Sequence, residues 1–574
     1  MPLWAAAAVA AAAAWFLTTH YLHIFSEIIN WDEFAILERA DRSVRFGTVV
    51  GDGRAGLVTI VLMPFVKGCI DAAHSVVEGR QLWMVITVAY LIGVYCLVRR
   101  WFVHVGRTDE GRVQGLIAVA LLAFLPAFVA WSIQVRTDQA ALAAVVWGGV
   151  LLLGTRYWQA IGAGALFAVG MLCTQKGLYA LALVGVLFAT ATAARGFSEG
   201  GDPGAEIRLA ARRLGVGALA GVVVIGLYAY FVPDVVRLTS ESMIAGSLET
   251  MRMSREGQGY RIYTVHASRL VVHWVLFAIL VAWTVQVLWN RDKPELFLVA
   301  TSWLALLLGL LVITVHGSSF PYFIMTAGLF PALALAIPVG RPLAMSTRWS
   351  WPLVVLAVLL STAQSFRESR EMLVDTQWEQ RETLRIVYDS PLRNRRGYHV
   401  EGALLCMRDP EPMPTMFSPM IFQRFRSSPQ AMQNRADWIE EFRSRPIAYI
   451  VESYRLSQFP DEIRDFWSKH YIWYARSLYI AGYNIAEPRE VDIIVPGRYR
   501  WDADPTRPAA SLQLGNALLK PDEEIELAEG SLPAQAIGKD ARGQLILADL
   551  PRPKRDGQPF FYLRRQLYQL GGRY

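Results

Sequence analysis

Four short segments hold the residues best suited to chemistry. The first is Asn30-Trp31-Asp32-Glu33-Phe34, with two adjacent carboxylates about ten residues beyond the first apolar run. A carboxylate close to hydrocarbon is costly unless it is paired or useful. Partial loss of its water also makes it a better proton acceptor near neutral pH. An ordinary solvated acid pair in a charged loop is the alternative. The second segment is Gln134-Val-Arg136-Thr-Asp138-Gln139. There Asp138 either caps a helix or faces Arg136 across the mouth of a cavity. The third is Thr174-Gln175-Lys176-Gly177, whose lone Lys suits an anionic headgroup or simply snorkels to the interface. The fourth is His316-Gly-Ser-Ser-Phe-Pro321-Tyr322-Phe323. Its Gly and Pro predict a tight turn, and His316 and Tyr322 are suited to phosphate or sugar.

These segments lie between apolar runs of roughly 17–25 residues, the length that crosses a hydrocarbon core. Eleven such spans are predicted: 3–20, 82–101, 113–132, 139–154, 158–174, 177–194, 214–231, 268–289, 296–315, 321–338 and 350–365. The first lacks a basic leader segment and is read as a retained helix, not a signal peptide. The run 57–73 is also apolar, but Pro64, Lys67 and Asp71 suit an interfacial or re-entrant helix better.

Arginines set the orientation. One set of loops carries Arg99, Arg100, Arg107, Arg112, Arg156, Arg195, Arg208, Arg212 and Arg213, then Arg291, Lys293, Arg341 and Arg348. The alternate short loops carry only Arg136 and Lys176. The first set is therefore expected in the cytoplasm. All four chemical segments and the chain after residue 365 then fall on the other face. Two long outer loops, 21–81 and 232–267, are expected to hold short surface helices.

The 574-residue chain carries a net charge of +7 and is 54% hydrophobic, with a pI of about 9.2. Membrane orientation accounts for the basic balance, and no nucleic-acid-binding motif is present. Cys69, Cys96, Cys173 and Cys406 form no CxxC pair; a Cys69–Cys406 disulfide is conceivable. No metal-ligand spacing stands out, no cofactor is expected, and a divalent cation is left open.

The expected architecture is an α-helical polytopic membrane domain, 1–365, followed by a non-cytoplasmic α/β unit, 366–470, and a β-sandwich-like unit, 471–574. Helices are predicted at 366–386, 431–443 and 461–470. Strands are predicted at 445–452, 491–501, 510–514, 524–527 and 544–548. Tyr499, Trp501 and Tyr574 are expected to pack in cores more than to bind sugar.

The Asp32-Glu33 pair, Arg136-Thr-Asp138, the His316…Phe320-Pro-Tyr322 turn and the outward C-terminal region resemble the GT-C superfamily of membrane glycosyltransferases, over roughly 1–365 by layout. That superfamily includes protein O-mannosyltransferases and lipid A aminoarabinose transferases. The resemblance implies a polyprenyl-phosphate sugar donor and a glycan, lipid or protein acceptor at the bilayer. It implies inverting transfer, with Asp32 as general base, Glu33 orienting the acceptor or Asp32, and Asp138 as a second acid. Arg136, Lys176 and His316 would hold the donor phosphate, with Arg269 and Tyr322 as further candidates. The setting expected is the bacterial inner membrane. The WWD-type motif of oligosaccharyltransferases is absent. A transporter or flippase of a lipid-linked glycan would share such a cavity, although no internal repeat supports it. A non-catalytic receptor or scaffold is the third class.

Overall fold

The computed structural model describes residues 2–26, 31–46, 56–66, 72–197, 202–232, 270–290, 293–316, 323–339, 347–374, 378–399, 439–440, 442–451, 461–506 and 510–551. Cys69, Cys406, Tyr574 and the predicted outer loop 232–267, apart from Val232, lie outside them. The chain forms two compact units. One comprises Met1–Glu27, Arg39–Lys67 and Val76–Thr376; the other comprises Ile28–Glu38, Gly68–Ser75 and Gln377–Tyr574.

The first unit is a multi-pass membrane bundle. Its helices are α1 (Leu3–Ser26), α2 (Trp31–Phe46, divided between the units), α3 (Gly56–Val66), α4 (Ala72–His104), α5 (Thr108–Ala123), α6 (Pro126–Trp131), α7 (Thr137–Leu152), α8 (Tyr157–Cys173), α9 (Gly177–Gly196), α10 (Pro203–Phe231), α11 (Val271–Asn290), α12 (Lys293–His316), α13 (Phe323–Ala336) and α14 (Thr347–Val374). Every predicted span falls on helix. Among the described residues, six helices are long and apolar enough to cross a membrane, and shorter apolar helices accompany them.

Two details differ from the sequence reading, and a third falls partly outside the described residues. The span predicted at 113–132 is broken between α5 and α6. Pro126 has no N–H and holds Leu125 in extended backbone, φ −63° and ψ 126°, so the helix cannot continue. Of the apolar run 57–73, the stretch to Val66 lies in the 11-residue α3, about 16 Å long against a core of about 30 Å; residues 67–71 lie outside the described residues and 72–73 begin α4. Finally, α14 continues through residue 374, so no break falls at 365.

Small residues let helices approach closely. Gly164 of α8 lies against the Gly217 carbonyl of α10, with no room for a Cβ. Gly217 and Gly221 form a G-x-x-x-G pair in α10. In lipid, close van der Waals packing of this kind drives helix association.

The second unit holds α15 (Trp378–Tyr388), α16 (Asp461–His470) and two sheets. Its strands are β1 (Gly397–His399), β2 (Tyr449–Val451), β3 (Tyr471–Ala475), β4 (Leu478–Ile485), β5 (Arg489–Ile493), β6 (Gly497–Ala503), β7 (Ser511–Leu514), β8 (Ala517–Leu519), β9 (Glu524–Leu527), β10 (Gly530–Ile537) and β11 (Gly543–Leu547). The larger sheet runs β1-β2-β4-β11-β6-β9 with β3 also on β4; the smaller runs β5-β10-β7-β8. Residue 470 therefore falls inside one sheet, because β2 pairs with β4 across it. The strand predicted at 491–501 is two strands in different sheets. Pro496 lacks a ladder donor and Gly497 takes φ +152°, which turns the chain. Buried aromatics tie the sheets together: Tyr483 Oη donates to Asp492 O at 2.7 Å and Trp501 Nε1 to Ala510 O at 2.7 Å. Tyr499 and Trp501 are fully buried core residues. Of the helix predicted at 431–443, most lies outside the described residues.

Candidate functional site

The α7 helix runs from one end of the bundle to the other, and its two termini have opposite chemistry. Its first turn carries Asp138, a position where the helix dipole favours an acid. The preceding loop, Ser132 to Arg136, is buried throughout. Lys176 stands in the turn between α8 and α9 and caps α9. Its Nζ lies 2.9 Å from Asp138 Oδ1 and 3.1 Å from Oδ2, while Arg136 Nε lies 3.9 Å from Oδ2. Asp138 is 2% exposed. Lys176 Nζ also sits 5.9 Å from the centre of the Phe323 ring, which Tyr179 meets edge-on. The first turn of α13 therefore closes the same site.

A polar network fixes this loop. His20 on α1 donates through Nδ1 to Phe16 O at 2.8 Å, so its Nε2 accepts from Ser132 Oγ at 2.9 Å. Thr87 on α4 donates to Ser132 O at 2.8 Å, and Gln139 Nε2 reaches Thr87 Oγ1 at 3.5 Å. Trp83 Nε1 donates to Arg136 O at 2.8 Å. Arg80, fully buried, reaches the His23 and Ile24 carbonyls that end α1, and His23 Nε2 donates to Ser369 O at 3.2 Å. Of these supporting residues the sequence reading named only Gln139. The available signal was weak: each lies within two turns of the same end of a predicted span.

At the opposite end lie the arginines. Arg100 donates to Val150 O at 2.8 Å, Arg195 reaches His104 at 3.2 Å, and Arg107 pairs with Glu295 at 2.5 Å. The loops carrying Arg100, Arg107 and Arg195 thus meet at one end of the bundle, while Arg291, Arg341 and the Arg348 side chain lie outside the described residues.

Among the predicted site residues, the structure brings together Arg136, Asp138 and Lys176. Asp32 and Glu33 stand in the first turn of α2, within the segment that belongs to the C-terminal unit; Glu33 is fully buried. The Asp32 side chain is outside the described residues, as is that of His316, the last residue of α12. Arg269 and Tyr322 lie outside them entirely. Among the described residues no group of three or more His, Cys, Asp or Glu could hold a metal ion.

A further ionisable residue, outside this network, was also not among the sequence candidates. His273, in the first turn of α11, is buried, and neither ring nitrogen has a hydrogen-bond partner among the described residues.

Solved structures share this architecture. ArnT from Cupriavidus metallidurans in the apo state matches with a TM-score of 0.53 at 13% identity, over 82% of this chain and 97% of that one. The same protein bound to undecaprenyl phosphate matches with a TM-score of 0.51 at 13% identity, over 83% and 98%. The fold is the GT-C fold. The apo oligosaccharyltransferase of Archaeoglobus fulgidus matches with a TM-score of 0.47 at 10% identity, over 96% and 98%. No protein-family model and no curated protein matches the sequence.

Proposed function

We propose that the protein is a membrane glycosyltransferase that moves a sugar from a polyprenyl-phosphate donor to a hydroxyl acceptor on the outer face of the bilayer. The observation that carries this is the buried Arg136–Asp138–Lys176 group at one end of a GT-C-fold bundle. Buried ion pairs rarely repay their desolvation cost in stability, so this one needs another use. The three residues together carry one net positive charge, the sign a donor phosphate requires. Undecaprenyl phosphate bound to the structurally similar ArnT fits the same donor class.

In this reading Asp32 takes the proton of the acceptor hydroxyl as its oxygen attacks the anomeric carbon. The bond from that carbon to the phosphate oxygen breaks, with inversion, and the electron pair leaves on the polyprenyl phosphate. Glu33 orients the acceptor or Asp32. Arg136 and Lys176, with Arg269, His316 and Tyr322, stabilise the charge that develops on the phosphate. Asp138 contributes by holding the Lys176 ammonium at hydrogen-bond distance. The arginine-rich end faces the cytoplasm of a bacterium, and the C-terminal unit lies in the periplasm. A cysteine at Leu518, 55% exposed, is then labelled by an impermeant reagent added outside, while one at the exposed Thr155 is protected.

The deciding test compares envelope glycans by mass spectrometry in a deletion strain carrying either the wild-type protein or an equally expressed Asp32→Asn. A sugar missing only with Asp32→Asn supports the assignment and identifies sugar and acceptor. Identical glycans in both, lost in the deletion alone, would remove Asp32 from catalysis and favour transport of a lipid-linked glycan.

A further inference from the structure

The arginine-rich end holds a second cationic site, separate from the proposed donor site. The last turn of α7 leaves carbonyls without helical partners, and side-chain donors from two other helices, α4 and α10, meet them. Arg100 of α4 donates to Val150 O at 2.8 Å, Arg213 of α10 donates to Leu152 O, and His104 of α4 donates through Nε2 to Leu153 O. Arg195 of α9 donates to His104 Nδ1 at 3.2 Å, which fixes His104 as a neutral ring with its proton on Nε2. Arg156 caps α8 three residues beyond Leu153.

Among the described residues, carboxylates do not balance this group. Arg195 pairs with Glu206 at 3.1 Å. Among the described residues Arg100, Arg156 and Arg213 have no carboxylate within ion-pair distance. Four guanidiniums therefore gather where α7 ends and α8 begins; among the described residues Arg195 is paired with Glu206, and the helix terminus adds its partial negative charge. Arg156 is exposed and Arg100 half-buried, so the group is open to the bilayer surface. Tyr157 and Trp158, 48% and 57% exposed, flank it as residues of the membrane–water interface do.

We propose that this end binds the phosphodiester of an anionic phospholipid in the leaflet it faces, with Arg156 and Arg100 as the contacting residues. Arginine forks suit phosphate oxygens, and basic pockets between membrane helices take lipid headgroups. Positive charge that served orientation alone would hold no particular lipid through detergent exchange.

The test uses the full-length protein in nanodiscs of equal phosphatidylglycerol and phosphatidylcholine, with retained lipid counted by native mass spectrometry. Wild type is expected to retain phosphatidylglycerol in preference. Each arginine removed, Arg156→Gln first and then Arg100→Gln in addition, should weaken retention about fivefold, and Arg156→Lys should restore part of it. Arg156 is exposed, so its variant carries the test even where the double variant does not fold. Equal retention of both lipids, or no change with Arg156→Gln, overturns the proposal. Displacement of the phosphatidylglycerol by millimolar inorganic phosphate also overturns it, by showing a site for free phosphate.

Discussion

The two ends of the bundle use cations in opposite ways. At the arginine-rich end, Arg100, Arg213 and His104 donate to backbone carbonyls of one helix terminus. Those acceptors exist at every helix end, and meeting them is a structural task. At the other end, Lys176 and Arg136 meet a side-chain carboxylate that is itself 2% exposed. A carboxylate there must be kept ionised away from water, which costs more than an apolar residue of similar size. The difference teaches that charge count marks the face of the membrane, whereas the partner of the charge marks the place where chemistry is to be sought.

Breaking the Lys176–Asp138 ion pair tests this contrast most severely. Lys176→Met leaves Asp138 buried without its ammonium, at a cost of about 3–5 kcal/mol in denaturant unfolding of the detergent-solubilised protein. Transfer from a polyprenyl-phosphate sugar should fall by about 10²–10³. Adding Asp138→Asn to Lys176→Met should recover much of the stability and none of the transfer. Recovered transfer would make this end scaffolding like the other.

His20→Ala removes the acceptor of Ser132 Oγ and loosens the loop that leads to Arg136. It should cost about 1–3 kcal/mol, read by thermal unfolding, with a raised KM for donor at little change in fold.

The C-terminal unit carries a pH-sensitive group of its own. Burial holds the His470 imidazole down to about 4, from an ordinary 6.5. The folded unit binds it neutral, so its stability is whole above pH 6.5 and declines as pH falls toward about 4. The loss should be about 2 kcal/mol after solvent screening, seen as a falling denaturation midpoint. His470→Phe, whose ring still packs on Phe466, should flatten it.

The smallest effect is expected at the arginine-rich end. Arg100→Gln should cost about 1 kcal/mol of stability and leave transfer kinetics unchanged. A comparable loss of transfer would erase the distinction between the ends.

Much of the fold was legible along the chain. Apolar runs, arginine bias and turn residues are local records of how each segment partitions between lipid and water, and they located the apolar helices of the bundle. Proline chemistry at Pro126 and Pro496 was also written locally, yet each span and strand was drawn through it because the apolar pattern on both sides continues. The candidate site was legible only as four separate segments on one face. Tertiary packing alone decided that Lys176 meets Asp138, 38 positions earlier, and that His20 meets Ser132, 112 positions later. It also decided that β2 pairs with β4 across residue 470 and that the first turn of α2 belongs to the C-terminal unit. The physical reason is one of range. Hydropathy acts on each segment alone, whereas an ion pair or a sheet neighbour depends on which helices small residues such as Gly164 and Gly217 allow to touch.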